Sequence, residues 1–134
     1  MNVQHVTPIL NVSSLEASFT WFEKLGWAKA WDFGDGFGAV RNGECEIFLC
    51  EHGQGSRGGP VPPPDDHWRD QRGGAWMSWF LSSPAEVDAA HALAVKLGLV
   101  VPWPPTDMPW NMREFHIRHP DGHTFRVGAG LEEE

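Results

Sequence analysis

The chain carries one pattern twice, and that repeat restricts its fold more than any other feature. NVSSLEASFTWFEKLGW around Ser13 and FLSSPAEVDAAHALAVKLGL around Ser83 both leave an apolar segment, pass through Ser-Ser and close on Lys-Leu-Gly, with Lys24 and Lys96 72 residues apart. Ser13 and Glu16, like Ser83 and Glu86, have the spacing of a capping box, and Pro84 stands where a first helical residue needs no N–H. Leu15, Phe19 and Phe22 recur at helical spacing, as do Val87, Ala90, Leu93 and Leu97. Gly26 and Gly98 then supply a left-handed stop. Strands are predicted before the first helix at Val3–Val12 and after it at Ala28–Phe33, Gly38–Asn42 and Glu44–Glu51, with a hairpin at Asn42-Gly43. The second copy predicts Ala75–Leu81, then Leu99–Trp103, Met112–His119 and His123–Val127, with Pro120-Asp121-Gly122 as the last turn. The class is α+β, a tandem βαβββ.

At 134 residues the chain is expected to be one domain: a first module over 1–51, a Gly/Pro-rich linker or lid over 52–74, a second module over 75–129 and an acidic tail over 130–134. Ten basic against 18 acidic side chains give a formal charge of −8, which repels phosphate backbones and argues against nucleic acid as a partner. The most apolar stretch, Leu93–Val101, is interrupted by Lys96 and Gly98, and the start MNVQHV lacks the basic and apolar regions of a secretory signal. A membrane partner is therefore not expected. Cys45 and Cys50 sit an odd number of residues apart in one strand and point to opposite faces, which suits unbridged thiols in the cytoplasm.

Motifs for covalent chemistry are not apparent. No G-x-S-x-G elbow occurs, and Gly34–Gly38 and Gly53–Gly59 do not join a strand to a helix start as a phosphate cradle would. Asp65-Asp66-His67, within the Pro-rich linker, is expected to be a solvated charge cluster. The composition is distinctive in its rings: eight Trp, eight Phe and no Tyr. Trp21, Phe19 and Trp27 are expected in the core, and Trp76 and Phe80 under a helix. The remaining rings can present flat faces to a flat guest.

The tandem βαβββ together with the closing string PWNMREFHIRHPDGHTFRVG resembles the vicinal oxygen chelate superfamily, the glyoxalase/bleomycin-resistance/dioxygenase group, and within it the bleomycin-resistance branch. The resemblance implies a curved mixed sheet around a crevice and a domain-swapped homodimer with two crevices lined by both chains. Metal-binding relatives hold a divalent ion at positions that fall here at Thr7, Glu46, Met77 and Arg126. Only Glu46 is an ordinary ligand and Arg126 is a fixed cation, so no metal, no cofactor and no catalytic residue are expected. His5, on the same strand face as Thr7, and the group His116, His119 and His123 leave a displaced metal site open as an alternative.

The resemblance further implies an antibiotic-binding self-resistance protein with a small-molecule aromatic antibiotic as partner. Trp31, Phe37 and Trp110 would stack on it. Glu46, Phe48, Met77 and Trp79 would share an inward face as the floor, with Met112 and Arg126 beside them and Trp68 and Trp103 as lids. Arg126 would orient a ligand acceptor or pair with Glu46, favouring a flat polycyclic or enediyne-type drug over a charged glycopeptide. The alternative is a metal-dependent lyase, isomerase or ring-cleaving dioxygenase of the same superfamily.

Overall fold

Both helices start where a serine oxygen meets a free backbone N–H, but the serine differs from the one expected in the first copy. Ser14, in extended conformation, caps α1 (Leu15–Lys24) by accepting from the Ala17 N–H at 3.1 Å. A second orphan donor, the Leu15 N–H, is taken by the Glu51 carboxylate at 2.7 Å, a residue 36 positions away. The computed structural model describes residues 1–131, in two compact units, Met1–Arg57 and the part from Gly58 onward. Of the expected acidic tail over 130–134, Glu132 to Glu134 lie outside the described residues. No helix among them is long and apolar enough to cross a membrane.

In the first unit, α1 is preceded by β1 (Ile9–Asn11) and followed by β2 (Ala28–Gly34), β3 (Phe37–Asn42) and β4 (Cys45–Cys50), in a sheet of order β1-β4-β3-β2. β1 runs parallel to β4 and is much shorter than the expected Val3–Val12. Pro8 has no N–H to extend the ladder, and residues 1–6 are exposed. The hairpin at Gly43 forms as predicted, with Asn42 opposite Cys45 and Gly43 at φ +59°. The sheet face carrying Val40, Ile47 and Leu49 packs against Leu15, Phe19 and Phe22, all buried. Gly38 admits the Phe19 ring, since a Cβ there would stand 2.8 Å from it. Trp21 and Trp27 close edge-on around Phe22 at 5.1 and 5.7 Å, as core residues. Cys45 is exposed, Cys50 is buried and both are free thiols.

The second unit repeats the order with β5 (Trp76–Phe80), α2 (Pro84–Lys96), β6 (Val100–Met108), β7 (Met112–Arg118) and β8 (Thr124–Gly130), in a sheet of order β5-β8-β7-β6. Ser83 caps α2 by accepting from the Glu86 N–H at 3.3 Å, while the Glu86 carboxylate accepts from the Ser82 N–H at 2.9 Å. β6 runs five residues beyond the expected Leu99–Trp103 end. Its register slips between Val100 and Trp103 and again between Trp103 and Thr106, so Pro102, Pro104 and Pro105 fall at or beside bulges of an edge strand, where a missing N–H is tolerated. α2 covers the face bearing Phe115, Ile117, Phe125, Val127 and Ala129.

The segment before β5 is no open linker along its whole length. Residues 58–74 belong to the second unit, with a short 3-10 turn at His67–Arg69. Gly58 and Gly74, at its two ends, both touch the Gly122 turn backbone to backbone: a Cβ on Gly58 would stand 2.2 Å, and one on Gly74 2.3 Å, from the Gly122 carbonyl oxygen. Gly58→Ala is therefore expected to lower the unfolding free energy by about 1–3 kcal/mol, the usual range for overpacking, measured by urea denaturation.

Candidate functional site

Each sheet has one face under its helix and one face turned away from it, and the faces turned away collect the candidate residues other than Met77 and Trp79. On the first unit a bulge does the sorting. Lys29 pairs with Val40 and Trp31 with Ala39, so one extra residue, Ala30, interrupts the alternation and turns Trp31 to the face opposite Lys29. Lys29 lies over the Phe19 ring on the helix side, with its Nζ 5.0 Å from the centroid. Trp31 instead meets Phe37 at 5.1 Å and Phe48 at 5.3 Å, and Phe37 and Phe48 are 5.6 Å apart, all edge-on and each partly exposed. Glu46 lies on the same face and accepts from Arg41 at 2.6 Å.

On the second unit the helix-free face holds Met112, Glu114, His116 and Arg118 from β7 and Thr124 and Arg126 from β8. Arg126 donates through Nε and Nη2 to the two Glu114 oxygens at 3.1 and 2.9 Å. This fork satisfies a carboxylate that is almost fully buried. The guanidinium also lies 5.9 Å from the Trp68 ring and 5.5 Å from the Trp110 ring, two indoles that remain 40% and 49% exposed. Beneath Trp68, the His67 ring is buried completely and its Nε2 meets His116 Nδ1 at 2.6 Å. Trp103 lies parallel to His67 at 6.3 Å and Trp76 is tilted against it at 5.3 Å. The strap is held by Asp70, which bonds Arg72 at 2.9 Å and Arg118 at 3.1 Å, while Arg118 also donates to the Gly59 carbonyl at 2.8 Å and Thr124 at 2.9 Å.

Burial dominates the proton chemistry here. It pulls His116 down to about 3, helped by the neighbouring His67 and Arg126 charges. It lowers His67 as well, with Arg118 adding to the effect and Asp70 opposing it. At the β7–β8 turn, burial and then His123 pull His119 down to about 4, against Asp121. For Asp70, burial pushes the carboxyl up, but the hydrogen bonds from Arg72 and Arg118 outweigh it and hold the group below the usual carboxylate range.

Several expected neighbours are brought together: Trp31, Phe37, Glu46 and Phe48 on the first unit, and Trp110, Met112 and Arg126 on the second. Others are corrected. Met77 and Trp79 lie on the helix side, where Met77 is opposite Phe125 and Trp79 stacks on that ring at 4.3 Å. The parallel pairing of β5 with β8 sets this parity, and it puts Trp76 on the helix-free face while leaving Phe80 73% exposed, so neither packs under a helix. Arg126 pairs with Glu114 and not with Glu46. His67 is buried rather than solvated. His67, Glu114 and Trp76 are not expected from the sequence as site residues, and His116 is expected only as part of an alternative metal group with His119 and His123; for His116 and Glu114 the signal is their shared strand parity with Met112.

A divalent ion does not fit the positions at which metal-binding relatives would hold one. Glu46 is engaged by Arg41, Met77 faces the helix side, the residue beside Arg126 on β5 is Ser78, and Arg126 itself is a bonded cation. His119 Nδ1 accepts from the Asp121 N–H at 3.0 Å and His123 Nδ1 from the Ala75 N–H at 2.9 Å, so these rings act as backbone acceptors at the turn.

The sequence profile of the Glyoxalase/Bleomycin resistance protein/Dioxygenase superfamily matches residues 2–127. Among solved structures, the chain is similar to a glyoxalase/bleomycin resistance protein/dioxygenase from Nocardioides (23% identity, 100% of this chain and 88% of that one, TM-score 0.73). It is similar to lactoylglutathione lyase from Agrobacterium tumefaciens (19%, 97% and 96%, TM-score 0.73). It is also similar to a bleomycin-binding protein complexed with bleomycin (16%, 98% and 100%, TM-score 0.66). At these identities the likeness speaks for the fold alone. No curated protein matches the sequence.

Proposed function

Because this chain belongs to the glyoxalase/bleomycin resistance/dioxygenase superfamily, we propose that it is a non-catalytic binder that sequesters a flat, aromatic, DNA-damaging antibiotic by stacking. The fold does not choose between capture and catalysis, since a bleomycin-binding protein and a lactoylglutathione lyase both share it. The observation that carries the reading is the ring cluster Trp31, Phe37 and Phe48, three partly exposed rings gathered on the sheet face opposite α1. Rigid rings lose little entropy when a planar guest lands on them, and each stacked face contributes about 1–3 kcal/mol. The exposed indoles Trp68 and Trp110 flank Arg126, whose Nη1 has no hydrogen-bond partner within the described residues and can donate to a ligand carbonyl or phenolate. A polycyclic or enediyne-type drug offers flat faces to the rings of the first unit, and one with such acceptors also suits Arg126 of the second, each unit taken by itself. A formal charge of −8 favours cationic guests and disfavours DNA. On this reading the protein acts in the cytoplasm as a homodimer, with no metal or other cofactor.

Titration with bleomycin-like and polycyclic antibiotics, followed by tryptophan fluorescence, tests the proposal. Trp31→Ala is expected to weaken binding by about 10–100-fold, the equivalent of one lost stacking face. Trp110→Ala is expected to weaken it in the same direction without unfolding the chain. Absence of any spectral response across the compound series would remove the reading. About one equivalent of Zn, Ni, Mn or Fe per purified chain would favour a metal-dependent enzyme of the superfamily instead.

A further inference from the structure

The second unit contains an aromatic cage that the protein fills with one of its own side chains. His67 is fully buried between Trp103, which lies parallel to it at an interplanar angle of 12°, and Trp76, with the edge of Trp68 at 5.8 Å and His116 Nδ1 2.6 Å from its Nε2. The polar fit is incomplete. His67 Nδ1, His116 Nε2 and Trp103 Nε1 are all buried and have no hydrogen-bond partner among the described residues. Two neutral imidazoles share one N–H in their mutual bond, which leaves one spare donor and one spare acceptor whichever tautomer is present, and Trp103 adds a second donor. Leaving such groups unmatched in an apolar setting is unfavourable, and a guest that accepts from the Trp103 N–H recovers part of the difference.

The attachment of His67 is also local. Arg118 holds the strap at its two shoulders, through the Gly59 carbonyl and through Asp70. Between those shoulders, among the described residues, the sole hydrogen bond that residues 60–69 make outside their own segment is the one from His67 to His116; the others, Asp66 N–H to Pro63 and Arg69 N–H to Asp66, are internal. Apart from that bond the tip is held by ring packing, chiefly of Trp68 on His116 and Trp103, so lifting it breaks one hydrogen bond and these ring contacts while its base stays anchored. Burial disfavours a charged ring beside the imidazole pair, with Arg118 and Arg126 adding to the effect and Asp70 opposing it, so the incoming ring is an uncharged one.

We propose that the cage of Trp76, Trp103 and His116 is a binding subsite for an uncharged nitrogen heteroaromatic ring, and that His67 is its built-in occupant, displaced when such a ring enters. The ring takes the parallel position against Trp103, its nitrogen meets His116 Nδ1, and an adjacent acceptor on the same molecule receives the Trp103 N–H. A tethered competitor lowers apparent affinity by the fraction of time it holds the site. The subsite rests on the second unit alone and goes beyond antibiotic capture; imidazole, and no drug, is the probe.

The test is titration of the wild-type protein, His67→Ala and His67→Ala/His116→Ala with imidazole, buffered well above its own pKa, followed by tryptophan fluorescence. His67→Ala is expected to bind imidazole at least about tenfold more tightly than the wild type, because its competitor is gone, and the double variant to lose that gain. Equal affinity in wild type and His67→Ala, or a gain that survives loss of His116, would overturn the proposal. Should His67→Ala fail to fold, the wild type decides the matter by amide hydrogen exchange. Saturating imidazole is expected to speed exchange of the Asp66 to Arg69 amides severalfold while leaving α2 unchanged, and unchanged exchange of those amides overturns the displacement.

Discussion

Asp70→Ala is expected to lower the unfolding free energy by about 3–5 kcal/mol, more than any single substitution of an exposed charge in this protein. The Asp70 and Arg118 side chains are 0% and 3% exposed, and their contact at 3.1 Å joins the strap to the end of β7, beside the start of β8. Removing the carboxylate leaves a buried guanidinium whose remaining partners, the Gly59 carbonyl and the Thr124 hydroxyl, carry no full charge. The loss is thus mainly the penalty of an uncompensated buried cation, since an intact buried pair gains little over apolar packing. The double variant Asp70→Leu/Arg118→Met is accordingly expected to recover most of the stability lost by Asp70→Ala alone. Urea denaturation of both variants, followed by circular dichroism, checks the pair; a double variant less stable than Asp70→Ala would show that the ion pair itself is the stabilising element.

Acid should destabilise the chain well before its carboxylates titrate. His116 and His119 have folded-state values lowered to about 3 and about 4, from 6.5, and His67 is shifted in the same direction. A histidine lowered by folding is neutral in both states above its unfolded value, so stability is complete there. As pH falls below about 6.5 the unfolded chain takes up protons that the folded chain refuses, and stability drops by about 1.4 kcal/mol per pH unit for each such group until its folded value is reached. By pH 5 the two histidines at about 3 and about 4 together account for a loss of about 4 kcal/mol, a large share of an ordinary domain's margin. Asp70, held low by Arg72 and Arg118, contributes stability that is lost only as pH falls below its unfolded value of 3.8, so it adds little in this window. Thermal scans from pH 8 to pH 5 are expected to show Tm falling steeply below about 6.5, with His116→Gln flattening the slope. A flat Tm across that range would mean that the buried rings carry protons in the folded state.

What was legible in the sequence is what short-range chemistry encodes. Pro84 and the Ser83–Glu86 spacing placed the start of α2, Gly43 its hairpin, and the Pro-Asp-Gly turn its position between β7 and β8, because each depends on groups within a few residues. The α+β class follows from the same signals read twice. The rings of the first unit were also within reach, since Phe37 and Phe48 share a parity that the hairpin register preserves. Trp31 joins them by way of the Ala30 bulge, which no alternation rule anticipates.

The second unit shows where local inference runs out. Whether Met77 or Trp76 faces the helix depends on how β5 registers against β8, a partner nearly fifty residues away, and a slip of one residue inverts every side chain of the strand. Glu51 caps α1 across a sequence separation of 36. His67 reads as a solvated residue among Asp65, Asp66 and prolines, yet the Asp70–Arg118 bond and the Gly58–Gly122 contact draw its segment onto the sheet and bury the ring. The sequence by itself therefore determined the repeated βαβββ order, the start of α2 and the supply of flat rings. Only the tertiary structure decided which rings share a face and which histidines lose water, because strand register and loop closure are settled by contacts between residues far apart in the chain.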